Sequence, residues 1–360
     1  MSRMQRKASQ KKGSAARVNQ QPLTIIGNEG SPYSRKMRAL LRYRNIPHRW
    51  MVKMGAEYVQ PPQVPVDVIP VLVWHGDDGA MKEAMVDSTP QIKRLEQEYS
   101  GRSVVHPDPA LDFINALVED YADEWGTKFM FHYRWADAAC VAWARGHLAR
   151  QINPGMPAAA LEMMSGKFAQ RQIDRLWVVG SNAQTAPIIE AGYVRLLAVL
   201  EALVVKRPFL FGKRPSAADF AVYGQLSQLC MFDPTPMQLA RDQAPRVVAW
   251  TERLEDLSGW NADDKQWADR DSTAAALQPL LKEIGATYVP FMLANAAAKA
   301  AGAEQVECTI DGTLWKQKTF PYQVKCLRWL REQFAALKAE DQAWVRGALE
   351  ASGCAALLAA

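Results

Sequence analysis

Residues 31 to 41, SPYSRKMRALL, place two hydroxyls and a phenol, from Ser31, Ser34 and Tyr33, on the first turn of an expected helix. The apolar run PLTIIG (22–27) comes just before it. A helix N-terminus carries unpaired N–H groups and partial positive charge, so hydroxyls there can help to hold an anion. Asp87 and Ser88 form a second candidate of this kind at the head of DSTPQIKRLEQEY, with Ser88 as expected N-cap and Pro90 in the first turn. The five cysteines contain no C-x-x-C and the five histidines no H-x-x-x-H. No metal site and no disulfide framework is therefore expected, and the scattered thiols suit a reducing cytosol.

The elements that must position these groups alternate at first. PLTIIG is a short strand ended by Gly27, Asn28 and Gly30. Met37, Leu40 and Leu41 in PYSRKMRALLRYRN have helical spacing. PHRWMVK (47–53) is a second strand, and residues 64–86 form a loop and then a hairpin turning at GDDG. A helix from Asp87 closes the unit, in the order β-α-β, β-β-α. Beyond SGRSVVHPDP the character turns helical. Over 110–135, Phe113, Leu117, Tyr121, Trp125 and Phe129 recur at i, i+4 as a buried stripe. Ser216 and Asp219 stand three apart before an apolar helix, the spacing of a capping box.

SPYSRKMR, VIPVLVW and VDSTPQI, in this order over about 70 residues, resemble the thioredoxin-like N-terminal domain of cytosolic glutathione transferases. The S-x-x-D box after FLFG resembles the folding signature of that family's C-terminal domain. The likeness covers roughly 22–260. It implies an α+β thioredoxin-like domain followed by an all-α domain of the glutathione transferase C-terminal type. The expected units are a basic arm (1–21), the glutathione-binding domain (22–101), a helical substrate domain (102–265) and an extension (266–360).

The resemblance also implies roles. Ser31 is the first choice for the hydroxyl that donates to the glutathione sulfur, with Tyr33 and Ser34 as alternatives, and Ser31 also suits a plain N-cap. Glutathione backbone would pair with Ile69, turned outward by a cis bond to Pro70, in the manner of an added strand. Read alone, Pro70 suits an ordinary trans proline opening an edge strand. Asp87 and Ser88 would take the γ-glutamyl ammonium and carboxylate. Trp125, His132, Tyr133 and Trp135 are candidates for the wall of an apolar second-substrate pocket, although an aromatic at helical spacing such as Trp125 also suits the core. Serine stands at both positions that glutaredoxins fill with cysteine, so mixed-disulfide chemistry is not expected there.

The net charge of +5 is localised: Arg3, Arg6, Lys7, Lys11, Lys12 and Arg17 precede the first acid, Glu29, and without those six the chain sums to −1. The arm is expected to solubilise, and nucleic acid is not expected as a partner except through it. No apolar run reaches 18 residues, so no membrane span is expected, nor is a secretory signal or a transit peptide. Two alanine-rich helices are expected over 273–302, a hairpin over 306–320 turning at Asp311-Gly312, and a helical pair after it. The expectation is a cytoplasmic, homodimeric transferase using glutathione as co-substrate against an electrophile, with conjugation, isomerisation and dehalogenation all open, or a non-catalytic binding or scaffold protein on the same fold.

Overall fold

The computed structural model describes residues 21–359, so the basic arm lies outside the described residues but for Gln21. Four strands, β1 (Leu23–Gly27), β2 (His48–Val52), β3 (Val71–His75) and β4 (Met81–Met85), form one sheet in the order β2-β1-β3-β4. β1 runs parallel to β2 and antiparallel to β3, and β4 is antiparallel to β3. Alternation sorts the central strands between two faces. Leu23, Ile25 and Leu72 join the main core, while Ile26, Val71 and Val73 build a small cluster on the other face.

Helices α1 (Pro32–Tyr43) and α2 (Ser88–Glu98) complete this unit. The helical part opens with α3 (Pro109–Tyr121), which passes through a wide turn at Ala122–Gly126 into α4 (Thr127–Ala136). The expected single helix over 110–135 is thus interrupted by i→i+5 bonding, a local insertion often found at functional sites. Helices α5 (Ala138–Ile152), α6 (Ala158–Ile173), α7 (Ala186–Val204), α8 (Ala217–Leu229), α9 (Pro234–Gln243) and α10 (Pro245–Leu254) follow. The capping box forms: Ser216 Oγ accepts from the Asp219 N–H, and Asp219 accepts from the Ser216 N–H at 2.9 Å. α8 is buried along its whole length and crosses α1 at Gly224, where a Cβ would lie 2.7 Å from the Pro32 carbonyl oxygen.

The extension differs from expectation in one respect. In place of two helices there is a single 31-residue helix, α11 (Arg270–Ala300), with Pro279 and Pro290 inside it. An internal proline costs about 3 kcal/mol. Leu277, Leu280, Leu281, Ile284, Tyr288, Phe291 and Met292, all buried, offset that cost and hold the helix together. The hairpin β5 (Gln305–Ile310) and β6 (Thr313–Lys318), then α12 (Pro321–Ala335), α13 (Ala339–Glu350) and a turn at Cys354–Leu358, complete the chain.

The extension packs on the aromatic stripe. Phe334 meets Phe113 edge-on at 5.6 Å, Tyr288 meets Tyr121 at 6.1 Å, and Trp315 and Phe291 lie 5.2 and 5.7 Å from Trp125. Among the described residues no helix is long and apolar enough to cross a membrane.

Candidate functional site

The start of α1 is positioned from the helical domain. Arg134 is buried; its guanidinium pairs with Asp233 at 2.8 Å and donates to Gln228 at 2.7 Å and to the Gly30 carbonyl at 2.6 Å. Gln228 in turn donates to the Glu29 carbonyl at 3.0 Å. This fixes the loop that delivers Ser31. Ser31 is half-buried, and its Oγ accepts the Ser34 N–H at 3.2 Å, as an N-cap does. Its own proton has no acceptor among the described residues and is free to donate.

Neither neighbouring hydroxyl is placed as Ser31 is: one has its proton donated, the other is buried. Tyr33 donates to the Asp123 carbonyl at 2.8 Å, and burial beside Glu124 and Asp123 holds its phenol well above the usual range. Ser34 is fully buried, with its Oγ accepting the Asn28 N–H at 3.4 Å.

The Ile69–Pro70 bond is cis. The Ile69 N–H and C=O have no partner among the described residues. The Gln91 amide donates to the carbonyls of Pro70 (3.2 Å) and Met85 (2.7 Å), tying this loop to the end of β4.

At the head of α2 the arrangement departs from expectation. Ser88 was expected to offer its hydroxyl to a ligand, but it is 5% exposed and spent internally. Its Oγ accepts from Lys36 Nζ at 3.1 Å and donates to Asp123 Oδ2 at 3.3 Å. Lys36 also pairs with Glu119 at 2.8 Å and Asp123 at 2.6 Å, and Thr89 donates to Glu119 at 3.1 Å. Two buried carboxylates beside Lys36 outweigh its desolvation and hold its ammonium above the ordinary range. Burial pushes Asp123 up to about 6 against the pull of Lys36, and Asp120 up to about 7. Asp87 precedes α2 with φ +79° and makes no side-chain cap bond. Its carboxylate accepts the Tyr322 hydroxyl at 2.8 Å and lies 4.0 Å from Lys325 Nζ. Both partners belong to α12.

The four aromatic candidates of the helical domain are buried rather than lining an open wall. Trp125 is 1% exposed, between Trp315, Phe291 and the Lys128 ammonium. His132 meets Ser181 Oγ at 2.7 Å through Nδ1 and Glu190 at 3.2 Å through Nε2. Tyr133 packs edge-on against Tyr193 at 5.5 Å, and Trp135 against Phe168 at 5.9 Å. The reason lies in the extension, which covers Trp125, and in α6 and α7, which cover the other three.

A cavity of about 360 Å³ opens on the sheet face of the small cluster, bounded by Ile26, Lys53, Tyr58, Gln63, Val64 and Val71. Val71, on the wall of this cavity, directly follows Pro70 in the chain. Among the described residues no group of three or more His, Cys, Asp or Glu side chains is placed to hold a metal.

Sequence reasoning missed Lys36, Gln91, Arg134, Tyr322 and Lys325. One signal was available for Lys36. Glu119 and Asp123 stand at i, i+4 within VEDYADEW, so one helix face carries two acids that need a cation.

Residues 25–103 match the glutathione S-transferase N-terminal domain, and residues 167–253 its C-terminal domain. Among solved structures, a glutathione S-transferase from Methylobacterium radiotolerans, in complex with glutathione sulfonate, is 19% identical; the match covers 69% of this chain and 97% of that one, with TM-score 0.39. One from Rhodospirillum rubrum F11 is 16% identical over 70% and 98%, with TM-score 0.40. A family member from Pseudomonas fluorescens Pf-5 with bound glutathione is 18% identical over 64% and 93%, with TM-score 0.36. No curated protein matches the chain.

Proposed function

The chain is a glutathione S-transferase family protein with a C-terminal extension, and on that premise we propose that it binds glutathione and holds its sulfur as thiolate with Ser31. The observation that carries this reading is the contrast among the three hydroxyls of the first turn. Ser31 alone is accessible with a free proton, and it sits where the helix presents positive potential. A thiol near pKa 8.5 is only a few per cent ionised at pH 7, and each unit of lowering raises the thiolate about tenfold until it dominates. The free N–H and C=O of Ile69 would pair with the ligand backbone, and Asp87 would face its ammonium. The thiolate then attacks an electrophile, and the cavity beside Val71 offers one partly apolar surface near the ligand's path. A cytoplasmic homodimer belongs to the same reading.

Calorimetry with millimolar glutathione, and conjugation of a chlorodinitrobenzene probe, test it. Ser31→Ala should bind glutathione within about threefold of wild type while its conjugation rate falls about tenfold or more. A rate unchanged by Ser31→Ala refutes the catalytic role.

One observation favours the non-catalytic alternative. Trp125, His132, Tyr133 and Trp135 are all inside the packed core, so the helical domain offers no aromatic wall from these four. A binding or scaffold protein would retain heat with glutathione and show no conjugation in wild type.

A further inference from the structure

The first turn of α12 is held from two sides. Asn295 donates to the Phe320 carbonyl at 3.0 Å and accepts the Phe320 N–H at 2.9 Å, and Gln323 donates to the Glu124 carbonyl at 3.3 Å. This placement sets Tyr322 and Lys325 over Asp87. The Lys325 ammonium lies 4.2 Å from the Trp329 ring centroid and 5.3 Å from that of Tyr322, so two aromatic faces steady it. Asp87 thus already has one hydroxyl donor at 2.8 Å and one cation at 4.0 Å. Both contacts fall on Oδ2, so a ligand ammonium brought to the same carboxylate would share a charge that Lys325 already offsets and would meet that like charge.

We propose that Tyr322 and Lys325 are specificity-determining residues of this site, standing in for a ligand ammonium at Asp87 and so disfavouring ligands with a free α-amine. This inference rests on the reading of the site as one that takes a thiol tripeptide. Such a ligand binds when the first turn of α12 gives way. The same tripeptide without its amine meets no such competition and leaves α12 in place. The extension is therefore part of the ligand-binding apparatus, and it tunes which γ-acyl thiol the family scaffold accepts.

Calorimetry on the full chain, wild type and Tyr322→Phe/Lys325→Met, tests the proposal with two probes: glutathione, and glutaryl-cysteinyl-glycine, which lacks only the amine. Both substitutions keep the apolar stem of the side chain. The double variant should bind glutathione about tenfold tighter than wild type, equivalent to about 1.4 kcal/mol, with the glutaryl probe changed less than about twofold. Hydrogen exchange should rise in residues 321–326 of wild type on saturation with glutathione and stay unchanged with the glutaryl probe. If the wild type binds glutathione and the double variant binds it equally or more weakly, the competition is overturned while the tripeptide reading stands. If neither protein binds either probe at millimolar concentration, the tripeptide reading falls and this inference with it.

Discussion

Replacing Lys36 by Met isolates a buried cation held between two carboxylates. Lys36 is fully buried and faces Glu119 at 2.8 Å, Asp123 at 2.6 Å and Ser88 at 3.1 Å. Removing one partner of a buried ion pair typically costs about 3–5 kcal/mol, because the charge left behind has no compensation. A chain of 360 residues has an unfolding entropy near 0.8 kcal/mol/K, so that loss lowers Tm by about 4–7 °C. The deficit carries a pH signature. Burial already raises Asp123 to about 6 and Asp120 to about 7 in the folded protein, above the unfolded value near 3.9. Without Lys36 the Asp123 carboxyl rises further. A folded state that binds more protons than the unfolded one gains stability as pH falls. The penalty should therefore be largest at pH 8 and shrink toward pH 5.5. Urea unfolding followed by tryptophan fluorescence at both pH values measures it. Neutralising the acids as well, with Glu119→Gln and Asp123→Asn, should recover part of the loss. A deficit under about 1 kcal/mol at pH 8, or one equal at both pH values, would refute the assignment of Lys36 as the compensating charge.

Trp315→Ala should cost about 3–5 kcal/mol in urea unfolding, since the indole is fully buried against Trp125 and Phe291, and a cost under about 1.5 would mean that the hairpin is loosely docked. Gly285→Ala would put a Cβ 1.8 Å from the Ser352 carbonyl oxygen, so the C-terminal turn should lift from α11 at a cost of about 1–3 kcal/mol. Cys354, buried with its thiol donating to the Leu281 carbonyl at 3.2 Å, should then be labelled by a thiol reagent faster than in wild type. Ser216→Ala, which removes half of the capping box, should destabilise by about 1 kcal/mol in the same urea assay.

Local chemistry was legible in the chain and long-range partnership was not. PLTIIG, the Asp311-Gly312 turn and the Ser216–Asp219 box announce themselves because the residues that shape them are neighbours in sequence. Pro70 is a partial case: the residue is visible, but its cis bond follows only from the family likeness. Ser88 looked like a ligand group because its competitors, Lys36 and Asp123, come from other elements. Trp125 stood between pocket wall and core because Trp315, which covers it, lies 190 positions later. The continuity of α11 through two prolines depends on burial, which local propensity does not encode.

The stacking of Phe334, Tyr288, Phe291 and Trp315 on Phe113, Tyr121 and Trp125 makes the last quarter of the chain inseparable from what precedes it. A version cut after residue 265 would bare three large rings along α3 and the wide turn after it to water and should come out of expression as aggregate. Residues 22–265 are thus not a detachable unit here. A chain that lacked the added segment would need smaller or polar side chains at positions 113, 121 and 125 to stay in solution.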